Sequence, residues 1–179
     1  RILGLGYPGG PAISAEAEKY KIQNTLGHSP TGEANYKLNL PRPMMYTKDY
    51  DFSFSGLKTA VLYEFQKRPL KVKKSKKYIV EMCYEIQQSI IDVLIKKTIK
   101  AAKDFKVKSI ILGGGVAANT ELRRQFSYKL SVIGYKLNFL VPDKIYCTDN
   151  AAMVAVAAYF HRKEKGWKNI KADGNLQIC

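Results

Sequence analysis

The sequence predicts an α/β layered domain, and three observations carry that prediction. Ser109-Ile110-Ile111-Leu112 is a compact apolar run of strand length, and Leu137 to Val141 is a second. A turn-rich loop and then a helical pattern follow each run: Thr120 to Leu130 after the first, Ala151 to Arg162 after the second. The hydrophobic fraction, 46% of 179 residues, suits a packed core. Alternating strands and helices fold into layers, with helices covering a sheet. The length allows one domain, or one full lobe of a two-lobed protein.

The elements follow in chain order. Arg1-Ile2-Leu3-Gly4 reads as the end of an element already under way, and the first residue is not Met, so a fragment of a longer chain is expected. Tyr7-Pro8-Gly9-Gly10-Pro11 reads as a stiff turn, with a short helix from Ala15 to Tyr20. Residues 21–50, rich in Pro, Gly, Asn and Thr, read as loop with room for an edge strand. The polar–aromatic alternation of Asp51-Phe52-Ser53-Phe54-Ser55-Gly56 suits a short strand, and Leu57 to Phe65 a helix. Seven of the eleven residues from 67 to 77 are basic, and Pro69 interrupts any helix there, so this stretch reads as an exposed basic loop. Tyr78 to Phe105 is the longest helical pattern. Its Ile79, Cys83, Ile86, Ile90 and Leu94 recur at three- and four-residue spacing and predict one apolar face. The last helix is rich in small residues, which predicts another element packed closely against it.

Charge and cysteine content narrow the classes. Thirty basic residues against 15 acidic give a formal net charge of +15. Such an excess suits a polyanionic partner, nucleic acid or an acidic membrane surface, or else marks a protein from a lysine-rich proteome. Cys83, Cys147 and Cys179 are odd in number and far apart, which argues against a disulfide framework and favours a reducing, cytoplasmic setting. An organellar address stays open if a preceding segment carries a transit peptide. The longest apolar run, Ala151 to Phe160, is too short to cross a bilayer, so no membrane partner is expected.

Three segments have the residue types of a ligand site. Gly113-Gly114-Gly115 lies between a strand and a helix, where glycines let backbone N–H groups approach a phosphate and the helix adds its positive end. Asn119, at the first turn, is placed to reach a ribose hydroxyl or a base edge. The plain alternative is a tight strand-to-helix turn. Gly9-Gly10 between prolines is similar in kind, and a structural turn accounts for it equally well. Thr148-Asp149-Asn150 precedes a helix and reads locally as an N-cap. The sharper reading makes Asp149 a metal-binding carboxylate, which would need further ligands. His28 and His161 form no HxxxH pair. Ser55 and Lys58 have Ser-x-x-Lys spacing, but nothing else of a serine hydrolase accompanies them.

Taken in order, Tyr-Pro-Gly-Gly-Pro at 7–11, Asp-Phe-Ser-Phe-Ser-Gly-Leu-Lys-Thr-Ala at 51–60, Gly-Gly-Gly-Val-Ala-Ala-Asn at 113–119 and Cys-Thr-Asp-Asn-Ala-Ala-Met at 147–153 match one family. The chain resembles the tRNA threonylcarbamoyladenosine transferase subunit family, called TsaD in bacteria and long labelled O-sialoglycoprotein endopeptidase. The resemblance runs to about residue 176 and covers the second half of the family's usual length. It implies the two-lobed ASKHA fold of actin, sugar kinases and Hsp70, with this chain mainly the second lobe and the N-terminal lobe absent.

The resemblance further implies acyl transfer from threonylcarbamoyl-AMP to the N6 amine of the adenosine beside the anticodon of tRNA. Gly10 and Asn119 match family positions that contact that ligand. Asp149 matches the carboxylate that ligates a divalent metal, iron or zinc, whose histidine ligands lie in the family's first half. An adenine nucleotide, tRNA and auxiliary subunits of the transfer complex are the implied ligands and partners. Lys71, Lys73, Lys74, Lys76 and Lys77, with Lys67 and Arg68, are candidate tRNA contacts; a solvated charged loop is the plain alternative. The rivals are a non-catalytic scaffold of the same fold, a kinase of the superfamily and a metallopeptidase. The retained glycine motifs and the absence of HExxH weigh against them.

Overall fold

The computed structural model describes residues 2–25, 38–134 and 137–161. Its elements are α1 (Gly9–Thr25), α2 (Ser55–Lys67), α3 (Leu70–Lys73), α4 (Lys76–Asp104), β1 (Ser109–Ile111), α5 (Thr120–Ile133), β2 (Asn138–Leu140) and α6 (Ala151–Phe160). Short 3-10 turns span Gly115–Ala118 and Lys144–Tyr146. The predicted α/β class holds: β1 and β2 pair in parallel, Ile110 opposite Phe139, with α5 as the crossover between them.

Helix α4 is the axis of the molecule. Ser75 caps its start, the side chain accepting from the Tyr78 N–H. Two cores are strung along it. Near its N-terminal half, Leu40, Leu57, Val61, Tyr78, Met82 and Ile86 pack together, with Val72 of α3 against them. Near its C-terminal half, Ile91, Ile95 and Ala102 meet Ile110 of β1 and Leu122 and Phe126 of α5. The single apolar face expected for α4 is therefore too narrow a description. Tyr78, Val80, Met82, Ile91, Val93 and Ile95 are buried as well, because α1, α2, α5 and the segment 38–51 surround the helix.

That segment is held by polar pairs, not by strand pairing. Arg42 reaches Glu85 and, at 3.1 Å, Asp92 on α4. Lys97, 1% exposed, donates to Thr47 Oγ1 at 2.8 Å, to the Asp49 carboxylate at 2.7 Å and to the Asp51 carbonyl. The Asp51 carbonyl is thus taken by a lysine, and residues 51–54 form no strand; α2 starts at Ser55. Period-two alternation makes a strand only where a neighbouring strand can pair with it.

Two further expectations are corrected, for residues 67–77 and for α1. Residues 67–77 are not a loop: Pro69 separates α2 from the short α3, and Lys76 and Lys77 already belong to α4. Helix α1 begins at Gly9 and runs beyond Tyr20, because its inner side packs on α4, with Tyr20 stacked on Tyr84 at 4.4 Å. No described residue covers α6: all ten of its residues are exposed. Among the described residues of 38–50 there is no edge strand. His28, Cys179 and the stretch 162–179 lie outside the described residues.

Candidate functional site

Parallel strands send their following loops out at the same end of the sheet, the carboxyl end, where ligands of α/β sheets bind. The loop after β1 carries Gly113-Gly114-Gly115 and Asn119; the loop after β2 carries Thr148-Asp149-Asn150. The two loops touch, since a Cβ added at Gly115 would lie 3.9 Å from Thr148 Cγ2.

Gly114 has φ +77°, a conformation open to glycine and strained for other residues. Here the chain swings out of β1 into a 3-10 turn. That turn is closed by the Ala117 N–H donating to the Gly114 carbonyl at 2.9 Å and the Asn119 N–H donating to the Val116 carbonyl at 3.0 Å. A Cβ at Gly113 would meet no atom within 4 Å, and the same holds at Gly10. Internal packing therefore does not demand glycine at either place. The backbone is left bare toward solvent.

Gly10 is not in a stiff loop before a helix; it lies in the first turn of α1. Proline is tolerated at Pro11 because N–H groups of a first turn have no intrahelical partner. Ser14, one turn further on, accepts from Asn119 Nδ2 at 2.8 Å. The second Nδ2 hydrogen goes to Gln87 Oε1 of α4 at 2.9 Å, while Asn119 Oδ1 accepts from the Leu122 N–H at 2.8 Å and so caps α5. Asn119 thus joins α1, α4 and α5 and brings Gly10 and the glycine turn to one end of the molecule. Both its amide hydrogens are used, so a ligand hydroxyl can meet this side chain only by donating to Oδ1.

After β2, the capping role falls to Asn150, whose Oδ1 accepts from the Met153 N–H at 3.0 Å. Asp149 is exposed and is not the cap. No group of three His, Cys, Asp or Glu side chains capable of holding a metal occurs among the described residues. One carboxylate does not fit a metal site by itself.

The lysines fall elsewhere. Lys71, Lys74 and Lys76 are exposed, Lys77 is half-buried, and Lys73 Nζ lies 5.6 Å from the centre of the Phe65 ring. Lys76 and Lys77 occupy the first turn of α4, which holds no acidic residue, so their charge adds to the positive helix end. Lys76 precedes Gln87 by eleven residues, roughly 16 Å along the axis at 1.5 Å per residue. The basic surface and the glycine-turn site are therefore separate regions. Ser55 and Lys58 are exposed on α2 and no hydrogen bond joins them.

Sequence reasoning missed Ser14 and Gln87. Nothing local marks either: Gln87 is one of four buried polar side chains on α4, with Glu85, Ser89 and Lys97.

A family model described as tRNA N6-adenosine threonylcarbamoyltransferase matches residues 1–156. Curated relatives carry the same description. One from Thermosipho africanus is 46% identical over 177 residues, covering 99% of this chain and 47% of the relative. One from Fervidobacterium nodosum is 47% identical over 159 residues, 88% of this chain and 42% of the relative. One from Syntrophomonas wolfei is 42% identical over 161 residues, 90% of this chain and 42% of the relative. The chain spans about half the length of the curated relatives it matches.

Proposed function

The chain belongs to the tRNA N6-adenosine threonylcarbamoyltransferase family, and from that membership we propose that it supplies the nucleotide-facing part of an enzyme that makes threonylcarbamoyladenosine in tRNA. In the proposed step the N6 amine of the adenosine beside the anticodon attacks the carbamoyl carbon of threonylcarbamoyl-AMP. A C–N bond forms, the bond from that carbon to the phosphate oxygen breaks, AMP leaves and the amine proton passes to solvent. The tRNAs concerned would be those reading codons that begin with A.

The observation that carries the reading is the open glycine backbone at the carboxyl end of a parallel strand pair, next to the start of α1. Gly113, Gly114 and Gly115 would hold the nucleotide phosphate on backbone N–H groups, with Gly10 approaching the same ligand from α1. A ribose hydroxyl would donate to Asn119 Oδ1. Fixed donors of this kind also favour the charge that builds on the leaving phosphate. Asp149 is proposed as one ligand of a divalent metal, iron or zinc, the remaining ligands coming from outside these residues. No step is derived through that metal.

The ASKHA fold, with this chain mainly its second lobe, follows from the same family reading. Two features support a covering lobe. Ile111 and Leu140 stand side by side on the bare face of the strand pair, 75% and 52% exposed, although parallel sheets are buried on both faces. Helix α6 is apolar throughout and exposed, and a helix of that composition belongs inside a core. The tRNA would be held electrostatically, with Lys71, Lys73, Lys74, Lys76 and Lys77 as candidate phosphate contacts and auxiliary subunits as further partners. No helix among the described residues is long and apolar enough to cross a membrane. A reducing, cytoplasmic setting is proposed from the cysteine pattern.

The test is AMP titration by calorimetry into the full chain, with Gly10→Ala and Gly113→Ala beside the wild type. Both added side chains meet open space, so the melting temperature should hold while AMP affinity falls at least tenfold. A wild type that binds no AMP, or variants that bind it equally well, would count against the nucleotide site.

A further inference from the structure

The two loops of the candidate site are joined by one side chain that lies outside every motif that marks the site. Arg123 sits on the first turn of α5, its N–H donating to the carbonyl of the cap residue Asn119 at 3.2 Å. It is half-buried, and its guanidinium spans the gap between the loops. On one side Nε donates to the Ala117 carbonyl, in the turn that follows the glycines. On the other, Nη2 donates to the Pro142 carbonyl at 2.7 Å and to Cys147 Sγ at 3.1 Å, in the loop that leads to Asp149. Cys147 is itself buried and lies 3.6 Å from the Asp143 carbonyl. Close by, Lys144 Nζ donates to Thr120 Oγ1 at 2.9 Å.

We propose that Arg123 is a positioning residue that holds the glycine turn and the Asp149 loop in one registration. Its planar, forked donors fix the relative placement of carbonyls on two sides, which a compact lysine ammonium on a flexible stem holds less rigidly. Ala117 follows the three glycines by two residues, and Cys147 precedes Asp149 by two. The distance between the phosphate-facing backbone and the Asp149 carboxylate therefore depends on this bridge. Reaction geometry is sensitive to shifts of about 1 Å. The functional half of this proposal rests on the nucleotide-site reading; the mechanical half does not.

The test is amide hydrogen exchange on the full chain, resolved by segment, for the wild type, Arg123→Ala, Arg123→Lys and the neighbouring Arg124→Ala. Arg124, whose side-chain hydrogen bonds among the described residues go to Glu121, serves as control. Arg123→Ala should speed exchange in 113–118 and 143–149 together, by about ten- to hundredfold, the size expected for lost charge-assisted hydrogen bonds. Helix α4 should stay protected. Arg123→Lys should lie between, and guanidinium ion added to Arg123→Ala should restore part of the protection in both loops. Loosening of one loop alone, equal loosening of the whole chain, or no change overturns the bridge. If Arg123→Ala does not fold, the graded loss in Arg123→Lys decides the matter. AMP affinity measured on the same samples separates the two readings. A wild type without affinity defeats the nucleotide site and leaves the exchange result standing. Coupled loosening with unchanged affinity overturns the positioning role.

Discussion

Replacing Asn119 by alanine tests whether one side chain ties three helices. The change removes the cap on the Leu122 N–H, worth about 1 kcal/mol. It also strips Gln87 Oε1 of its donor in a buried setting, at roughly 1–3 kcal/mol. Ser14 is half-exposed and regains water at little cost. The sum is about 2–4 kcal/mol, or about 4–16 °C in melting temperature for a chain of this size. The assay is a double-mutant cycle by urea unfolding with Asn119→Ala, Gln87→Ala and both together. Once Asn119 is gone, Gln87 has lost its partner, so the double variant should be less destabilised than the sum by about 1 kcal/mol or more. Strict additivity, or a loss below about 1 kcal/mol for Asn119→Ala, would refute the network. The same arithmetic bears on function. Weaker AMP binding by Asn119→Ala would not by itself prove contact, because the change loosens α1 against α5; the glycine substitutions are cleaner.

Acid should weaken the fold in a defined window. Burial opposes ionisation of Glu121, but hydrogen bonds from Arg124, Lys21 and Gln125 outweigh it and hold the carboxyl at about 2, below its ordinary 4.5. The Lys97 ammonium, with Thr47, likewise holds Asp49 at about 2 instead of 3.8. Both pKa values are depressed on folding, so their stabilisation is full above about 4.5 and lost as pH falls toward 2. Urea midpoints should be level from neutral pH down to about 5 and drop below that. Glu121→Gln should flatten part of the drop, and an unchanged profile would contradict the assignment. In the second core, Phe126 is 1% exposed and stacks on Phe139 at 4.9 Å, so Phe126→Ala should cost about 3–5 kcal/mol by calorimetry. A cost near 1 kcal/mol would mean that the α5–sheet contact is loose.

Some of this was legible in the chain. The apolar run 109–112, the glycines after it and the helical period of 120–130 are local signals, and β1, the turn and α5 stand where those signals put them. The same is true of the helix that opens at Ala151. The failures were of another kind. The alternation at 51–56 looked like a strand because a sequence does not reveal whether a partner strand exists; Lys97 takes the Asp51 carbonyl instead. The face of α4 was drawn too narrow because burial all round a helix depends on neighbours far away in the chain. The lysines of 67–77 read as solvated loop, yet α3 and the start of α4 form there, because Leu70 and Val72 supply helical turns and Val72 finds a core.

By itself, then, the sequence determined which segments are candidates for a ligand site: Gly10, the three glycines with Asn119, and Asp149. Glycine freedom, capping preference and hydrophobic period are properties of neighbouring residues, so they can be read in order along the chain. Only the tertiary structure decided how those segments meet. Asn150 and not Asp149 caps α6, Asn119 spends its amide hydrogens on Ser14 and Gln87, and Arg123 bridges the two loops. Each of the last two joins groups brought together by the packing of α1 and α5 on α4 and by the parallel pairing of β1 with β2. Long-range contacts of that kind follow from the sum of many burial choices, and no local pattern encodes them.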